Sequence, residues 1–144
     1  LYVLFRRSAP YPQMLNFDAP DSSISICRRE RSNTALQALN LLNDPVFMES
    51  ARSLAIRILQ EAPSNWEGRL DHAYRLCLGR LPSSRERERF RQFFTRQKEI
   101  LEREPESVHQ LTSGAVLEFQ PLQVASWVAA GRAILNLDEF ITRE

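Results

Sequence analysis

The sequence has little glycine and cysteine, and these shortages exclude several classes of protein. Only four glycines occur in 144 residues, and there is no G-x-S-x-G, H-E-x-x-H or phosphate-binding glycine loop. The two cysteines, Cys27 and Cys77, are far apart in sequence and lack the paired spacing of metal and haem attachment sites. Their spacing leaves two possibilities open, a single disulfide between them or a buried free thiol. We therefore expect no cofactor in this chain and no metal site.

Net charge is also nearly absent, at +1, so no long-range field attracts nucleic acid or an acidic membrane surface. Lysine is rare, since Lys98 is the one lysine among 19 basic residues. The longest apolar run, Val124 to Ala130, is much shorter than the roughly 20 residues of a membrane-spanning helix. We expect a globular domain that binds no nucleic acid and spans no membrane, and no small-molecule ligand is identified from the sequence.

What the sequence does contain is apolar residues at helical spacing. Sustained alternation of polar and apolar residues, the mark of a strand, is missing. Helix starts are predicted near Thr34, Pro45, Trp66, Ser84 and Pro121. These signals predict an all-α fold, a compact bundle of about five helices that forms one domain over residues 1–144. A long irregular N-terminal loop over residues 9–33 precedes the bundle, and residues 104–121 form a second polar linker.

Local signals place the helix ends. Asp44 before Pro45 is a typical helix start, and Gly79 is a predicted left-handed cap. Capping boxes are predicted for two pairs of residues, Ser64 with Glu67 and Ser83 with Glu86. The helical phase predicts nearly complete burial of four side chains, Leu39, Leu54, Phe93 and Leu135. It also predicts that the helix from about Trp66 to Leu78 buries Leu70, Ala73, Tyr74 and Cys77. In the last helix, the small residues Ala129, Ala130 and Gly131 are predicted to permit close helix packing.

The candidate site is the polar segment that precedes the first long helix. It contains six residues of interest: Asp18, Asp21, Arg28, Arg29, Arg31 and Asn33. The arginines and Asn33 could hold a sulfate, phosphate or carboxylate near the helix start, and the aspartates could bind calcium. The favoured interpretation is a latch, in which Asp18 or Asp21 bonds to an arginine or to an amide at the helix start. No catalytic residue is identified, and neither histidine has triad-like spacing to a nucleophile.

Four segments carry a family resemblance: "FDAPD", "RRERSNTALQALNLLNDPVFMESARSLA", "LCLGRLPSSRE" and "RAILNLDEFITRE". In this order they resemble the C-terminal domain of unknown function of large planctomycete exported proteins associated with cytochrome c domains. The resemblance runs from about Tyr2 to Glu144, although Ala35 stands where the family usually has proline. It implies an extracytoplasmic, periplasmic or secreted location and a haem-bearing neighbouring domain, and it implies no reaction.

The chain begins with Leu1 rather than Met, so we expect a C-terminal fragment of a longer protein. The predicted function is a structural and interaction module in a larger exported, haem-associated protein, and its expected partners are the remaining domains of its own chain. The alternative is a hydrolase or ligand-binding domain with a site around the loop from Asp18 to Asn33. Whether the protein is an enzyme stays open.

Overall fold

The computed structural model describes residues 12–20, 25–28, 32, 34–113 and 118–141. These residues contain eight helices and no strand: α1 (Pro12–Asn16), α2 (Ala35–Asn43), α3 (Pro45–Glu61), α4 (Trp66–Leu78), α5 (Ser84–Arg103), α6 (Pro105–Thr112), α7 (Pro121–Leu135) and α8 (Asp138–Ile141). The predicted all-α class is therefore confirmed for the described part of the chain. The chain divides into two compact units, the N-terminal unit Leu1–Leu41 and the C-terminal unit Leu42–Glu144.

The predicted number of about five helices is too low. All five predicted helices are present, and the additional three are α1, α6 and α8, with five, eight and four residues. Such short helices complete too few turns for a period of 3.6 residues to emerge from the sequence. The helix α1 lies inside the predicted N-terminal loop, and α6 lies inside the predicted linker, where Pro105 at its first position was the available start signal.

The helix α7 is the centre of the C-terminal unit, and α3, α4, α5, α6 and α8 all pack against it. Ten of its fifteen residues are buried, including Trp127 and Ile134. A helix that carries one charged residue, Arg132, and is otherwise uncharged can be enclosed on every side. This helix therefore organises the core, with α3 as its most extensive neighbour.

Close approach of α7 to α3 depends on a small residue. A Cβ atom at Gly131 would lie 3.3 Å from the carbonyl oxygen of Ala51 and 3.5 Å from a methyl group of Leu54. Ala51 itself is fully buried. The prediction that the small residues near Gly131 permit close helix packing is confirmed at this contact.

The helix ends follow the predicted signals with one correction. Asp44 accepts from the amide of Val46 at 2.8 Å, and Gly79 has φ 71 at the left-handed cap of α4. The Ser83 capping box is present. The predicted capping box of Ser64 with Glu67 is wrong, because the cap of α4 is the side chain of Asn65, whose oxygen accepts from the amide of Gly68 at 2.7 Å.

The predicted core is correct in α4 and wrong in α2. The four residues predicted inside α4 are all buried: Leu70, Ala73, Tyr74 and Cys77. Leu135 is buried as expected, whereas Leu54 and Phe93 are only half-buried and Leu39 is 54% exposed. In α2 the buried residues are Gln37 and Leu41. Leucine and alanine occur around the whole of α2, so its sequence does not define one apolar face.

Candidate functional site

The described part of the predicted site begins where α1 ends. The amide of Ala19 donates to the carbonyl of Met14 at 2.8 Å, and the amide of Asp18 donates to the carbonyl of Leu15 at 3.2 Å. These two bonds define a Schellman motif, with Asp18 at the left-handed position and φ 55. Aspartate tolerates this conformation better than most residues other than glycine. The turn therefore fixes the backbone of Asp18 and the point from which its carboxylate projects.

The Asp18 carboxylate binds Ser32, which lies 14 residues further along the chain. The amide nitrogen of Ser32 donates to Oδ2 at 2.7 Å, and the Ser32 hydroxyl lies 2.9 Å from Oδ1 and 2.7 Å from Oδ2. Hydrogen bonds to an ionised carboxylate are stronger than those between neutral groups. Asp18 thus fastens the end of α1 to the segment that enters α2.

Gln37 extends these contacts into a network within the N-terminal unit. Its Nε2 donates to the carbonyl of Asn16 at 2.7 Å and to the hydroxyl of Ser32 at 3.0 Å. Its Oε1 accepts from the amide of Thr34 at 3.1 Å, while its own amide donates to the Thr34 hydroxyl at 3.2 Å. The last two bonds form a capping box at the start of α2. Gln37 is only 2% exposed, so one buried amide satisfies groups from three segments.

The structure supports a latch at this position, with a partner that the sequence did not identify. Arg28 is exposed, and the other four predicted site residues lie outside the described residues: Asp21, Arg29, Arg31 and Asn33. Whether an arginine completes the latch stays a prediction. Sequence reasoning missed Ser32, Thr34 and Gln37. The spacing Thr34-x-x-Gln37 is the usual pattern of a capping box and could have identified two of them.

A second polar cluster lies at one end of the C-terminal unit. The Arg80 guanidinium binds Glu86 at 2.7 Å and Glu139 at 2.5 Å, and its carbon lies 5.6 Å from the ring centre of Tyr74. The hydrogen bonds from Arg80 lower the pKa of Glu86 to about 2 and also lower the pKa of Glu139. Burial raises the pKa of Tyr74 to about 12. Because Arg80 links the end of α4 to α5 and α8, we interpret this cluster as structural.

An open cleft of about 630 Å³ lies in the same unit and contains several aromatic side chains. Trp66 and Phe94 meet edge to face with ring centres 6.3 Å apart, and Phe94 lies 5.0 Å from Trp127. Both tryptophans of the chain line this cleft. Its volume is within the range of roughly 300 to 1,000 Å³ that is typical of small-molecule sites.

Charged side chains also line the cleft. Arg69 reaches it from α4, Lys98 from α5 and Glu118 from the segment before α7. The Nε of Arg69 is buried and has no hydrogen-bond partner in the described part of the chain. Glu118 accepts from the side chain of Gln60 at 3.4 Å, and Lys98 lies 3.7 Å from Glu102 on an exposed surface. The cleft therefore combines aromatic walls with two positive charges and one negative charge.

The described residues contain no group of three or more histidine, cysteine, aspartate or glutamate side chains that could hold a metal ion. They also contain no helix that is long and apolar enough to cross a bilayer. Cys27 is exposed and Cys77 is buried, and both are free thiols. Burial raises the pKa of Cys77 to about 11, which makes it a poor nucleophile at neutral pH.

Comparison with known proteins gives one match. No curated protein and no solved structure matches the chain. A family model, PSD1, matches residues 1–94, which include "FDAPD" and "LCLGRLPSSRE" but not the C-terminal segment "RAILNLDEFITRE". Since this match covers 94 of the 144 residues, the chain belongs to the PSD1 family, described as protein of unknown function (DUF1553).

Proposed function

We propose that the chain is a structural and interaction module within a larger exported, haem-associated protein. The observation that carries this proposal is the exposed leucine pair of α2. Leu36 is 53% exposed and Leu39 is 54% exposed, and they lie three residues apart on one side of the helix. Every residue of α2 is uncharged. An exposed apolar surface without charge is typical of a surface that another protein segment covers.

The partner that fits this surface is an apolar, uncharged helix from another domain of the same protein. Charged residues on the partner would lose hydration against Leu36 and Leu39 and would find no opposite charge on α2. The Asp18 and Gln37 network supports this arrangement, because it anchors the first turn of α2 and so fixes the direction of the leucine pair. A latch that fixes a binding helix combines the structural and the interaction role.

A hydrolase or ligand-binding site around the loop from Asp18 to Asn33 is the less supported alternative. Both carboxylate oxygens of Asp18 already contact Ser32. A ligand that used this carboxylate would share it with these bonds, which are made within the chain.

The proposal includes an extracytoplasmic location and a haem-bearing neighbouring domain, with no cofactor in this chain itself. Both rest on the resemblance of the four sequence segments. Expression of the longer protein with a reporter of its location, and an absorption spectrum of the purified protein, test these two parts. A cytoplasmic protein without a haem absorption band would contradict them.

Site-specific crosslinking in the longer protein tests the interaction role. A photoreactive amino acid is placed at position 36 or 39 in separate variants, and crosslinked peptides are identified by mass spectrometry. We expect crosslinks from both positions to segments of the same protein outside residues 1–144. The control is position 81, because Leu81 is 45% exposed and lies in a loop rather than on α2.

The outcomes separate the possible partners. Crosslinks to a second copy of residues 1–144 would indicate self-association, and crosslinks to an unrelated protein would indicate an external partner. If positions 36 and 39 give no more crosslinked product than position 81, the leucine pair is not an interaction surface and the proposal is wrong.

A further inference from the structure

We propose that the aromatic cleft of the C-terminal unit binds a small organic monoanion, a carboxylate attached to an aromatic or other apolar body. This inference goes beyond the proposed interaction role, because it concerns a different surface and a different kind of ligand. The residues that carry it are Trp66, Arg69, Phe94, Lys98, Glu118 and Trp127.

The walls of the cleft select an apolar body. Trp66, Phe94 and Trp127 form a continuous series of tilted and edge-to-face ring contacts. Trp127 is 2% exposed, so its ring is held by the core. Trp66 is fixed from outside by the Arg91 guanidinium, whose carbon lies 5.1 Å from the ring centre. Rigid aromatic walls favour a flat ligand because little side-chain freedom is lost on binding.

The charged groups select a carboxylate. The buried Nε of Arg69 is a donor without an acceptor in the described part of the chain, and such a group costs free energy until it is paired. Arginine presents a planar set of donors that matches a carboxylate. Because Arg69 lines the cleft, a bound carboxylate would accept hydrogen bonds from its guanidinium group.

The charge balance favours one negative charge over two. Arg69 and Lys98 contribute two positive charges at the cleft, and Glu118 contributes one negative charge. Lys98 is already paired with Glu102 at 3.7 Å, so Arg69 is the cation that a monoanion would neutralise. A dianion, by contrast, would meet repulsion from Glu118. We therefore expect monocarboxylates to bind better than dicarboxylates of the same size.

Calorimetry with 2-naphthoate on the whole chain at pH 7 tests the inference, with 2-naphthylmethanol as the neutral analogue. We expect saturable binding of one naphthoate per chain and roughly tenfold or more weaker binding of the alcohol, in line with the strength of hydrogen bonds to charged groups. The two tryptophan indole N–H signals in a nitrogen–proton NMR spectrum give an independent readout. Both should shift on titration, because Trp66 and Trp127 line the cleft.

Two substitutions in α4 distinguish the loss of a contact with the carboxylate from a change in the overall charge of the protein. Arg69→Gln should weaken naphthoate binding roughly tenfold or more and leave binding of the alcohol unchanged. Arg75→Gln is the matched control, because Arg75 is exposed on α4 and does not line the cleft. Lys98→Gln, on another helix, gives a second test if Arg69→Gln does not fold.

Three results would overturn the inference. Equal affinity for acid and alcohol would show an apolar cleft without anion recognition. Absence of binding at millimolar naphthoate would exclude the site for this ligand class. An equal loss of affinity in Arg69→Gln and Arg75→Gln would assign the effect to overall charge. None of these results depends on the leucine pair of α2, so the interaction proposal stands or fails separately.

Discussion

The N-terminal and C-terminal units are stabilised in different ways. In the C-terminal unit the residues with no exposed surface are mainly apolar and lie on α7 or on the helices packed against it: Ala51, Ala55, Ile58, Ala73, Tyr74, Val124, Ala125, Val128 and Ile134. In the described part of the N-terminal unit the side chains with less than a tenth of their surface exposed are Gln37 and Leu41, while Leu15, Leu36 and Leu39 are each more than half exposed. The N-terminal unit depends on polar bonds, and the C-terminal unit depends on apolar burial.

This difference has a consequence for cooperativity. Apolar burial is shared among many neighbours in a core, so the loss of one contact affects the whole unit. A polar network depends on a few bonds, each with a net contribution of about 1 kcal/mol. We expect the N-terminal unit to open locally at a lower free energy than the C-terminal unit.

Removal of apolar volume from the core should give the largest effect. Ile58 is fully buried, and Ile58→Ala should destabilise the protein by about 2 to 5 kcal/mol in chemical denaturation. The matched control is Ile100→Ala, because Ile100 is 39% exposed on α5 and should cost less than about 1 kcal/mol. Similar losses at the two positions would contradict the assignment of the core around α7.

Removal of the central amide from the polar network should have a smaller and more local effect. Gln37→Ala removes the acceptor for Thr34 and the donor to Asn16 and Ser32, so we expect a cost of about 1 to 3 kcal/mol. In hydrogen exchange, the amides of α2 should exchange faster while those of α7 keep their protection. Gln92→Ala on the exposed face of α5 is the control. Equal loss of protection in α2 and α7 would show that the two units unfold together.

The two units also differ in how well their structure follows from the sequence. In α4 the apolar residues recur on one face, and the predicted core residues are all buried. In α2 apolar residues occur on all sides, so the sequence could not decide between burial of Leu39 and burial of Gln37. The decision depends on hydrogen bonds from Gln37 to Ser32 and to Asn16, of which Asn16 is 21 residues away in sequence. Periodicity contains no information about such bonds.

The candidate sites show the same limit. Asp18 was predicted to form the latch because arginines lie near it in the sequence. The structure shows it bonded to Ser32. The cleft was not predicted at all, because its six principal residues come from three separate parts of the chain. Trp66, Phe94 and Trp127 each fit a helical core when considered alone. Only their three-dimensional arrangement shows that an open cleft lies beside them.

Acid should weaken the C-terminal unit through Glu86. The pKa of Glu86 is about 2 in the folded chain, which is lower than the value of about 4.3 for an unfolded glutamate. A lowered pKa stabilises the fold above the unfolded value, and this stabilisation is lost as pH falls from about 4.3 towards 2. Because Glu86 is partly exposed, we expect the free energy of unfolding to fall by an amount on the order of 1 to 2 kcal/mol.

Thermal unfolding between pH 6 and pH 2 measures this contribution. The variant Glu86→Gln lacks the titrating group, so its midpoint should fall less steeply over that range than the midpoint of the unchanged protein. Glu88→Gln on the same helix is the control, because Glu88 bonds to Gln92 and makes no contact with Arg80. If Glu86→Gln retains the full slope, other carboxylates determine the acid sensitivity.

Chemical labelling of the two cysteines should distinguish the two units, and of the changes considered it should affect stability least. Cys27 is exposed in the N-terminal unit, and Cys77 is buried in α4. With a pKa of about 11, roughly one Cys77 thiol in a thousand is ionised at pH 8. Burial of the sulfur also blocks access of the reagent. We therefore expect iodoacetamide to modify Cys27 in the native protein and to modify Cys77 only after unfolding.

Mass spectrometry of peptides from native and urea-treated protein gives the reaction rate at each cysteine. The variant Cys27→Ser isolates the reaction of Cys77, whose rate then reports how often the C-terminal unit opens. Modification at Cys27 should leave the free energy of unfolding unchanged, because the side chain is exposed. Rapid labelling of Cys77 in the native protein would show that the core around α7 opens as readily as the N-terminal unit, and the contrast between burial and polar bonding would then be wrong.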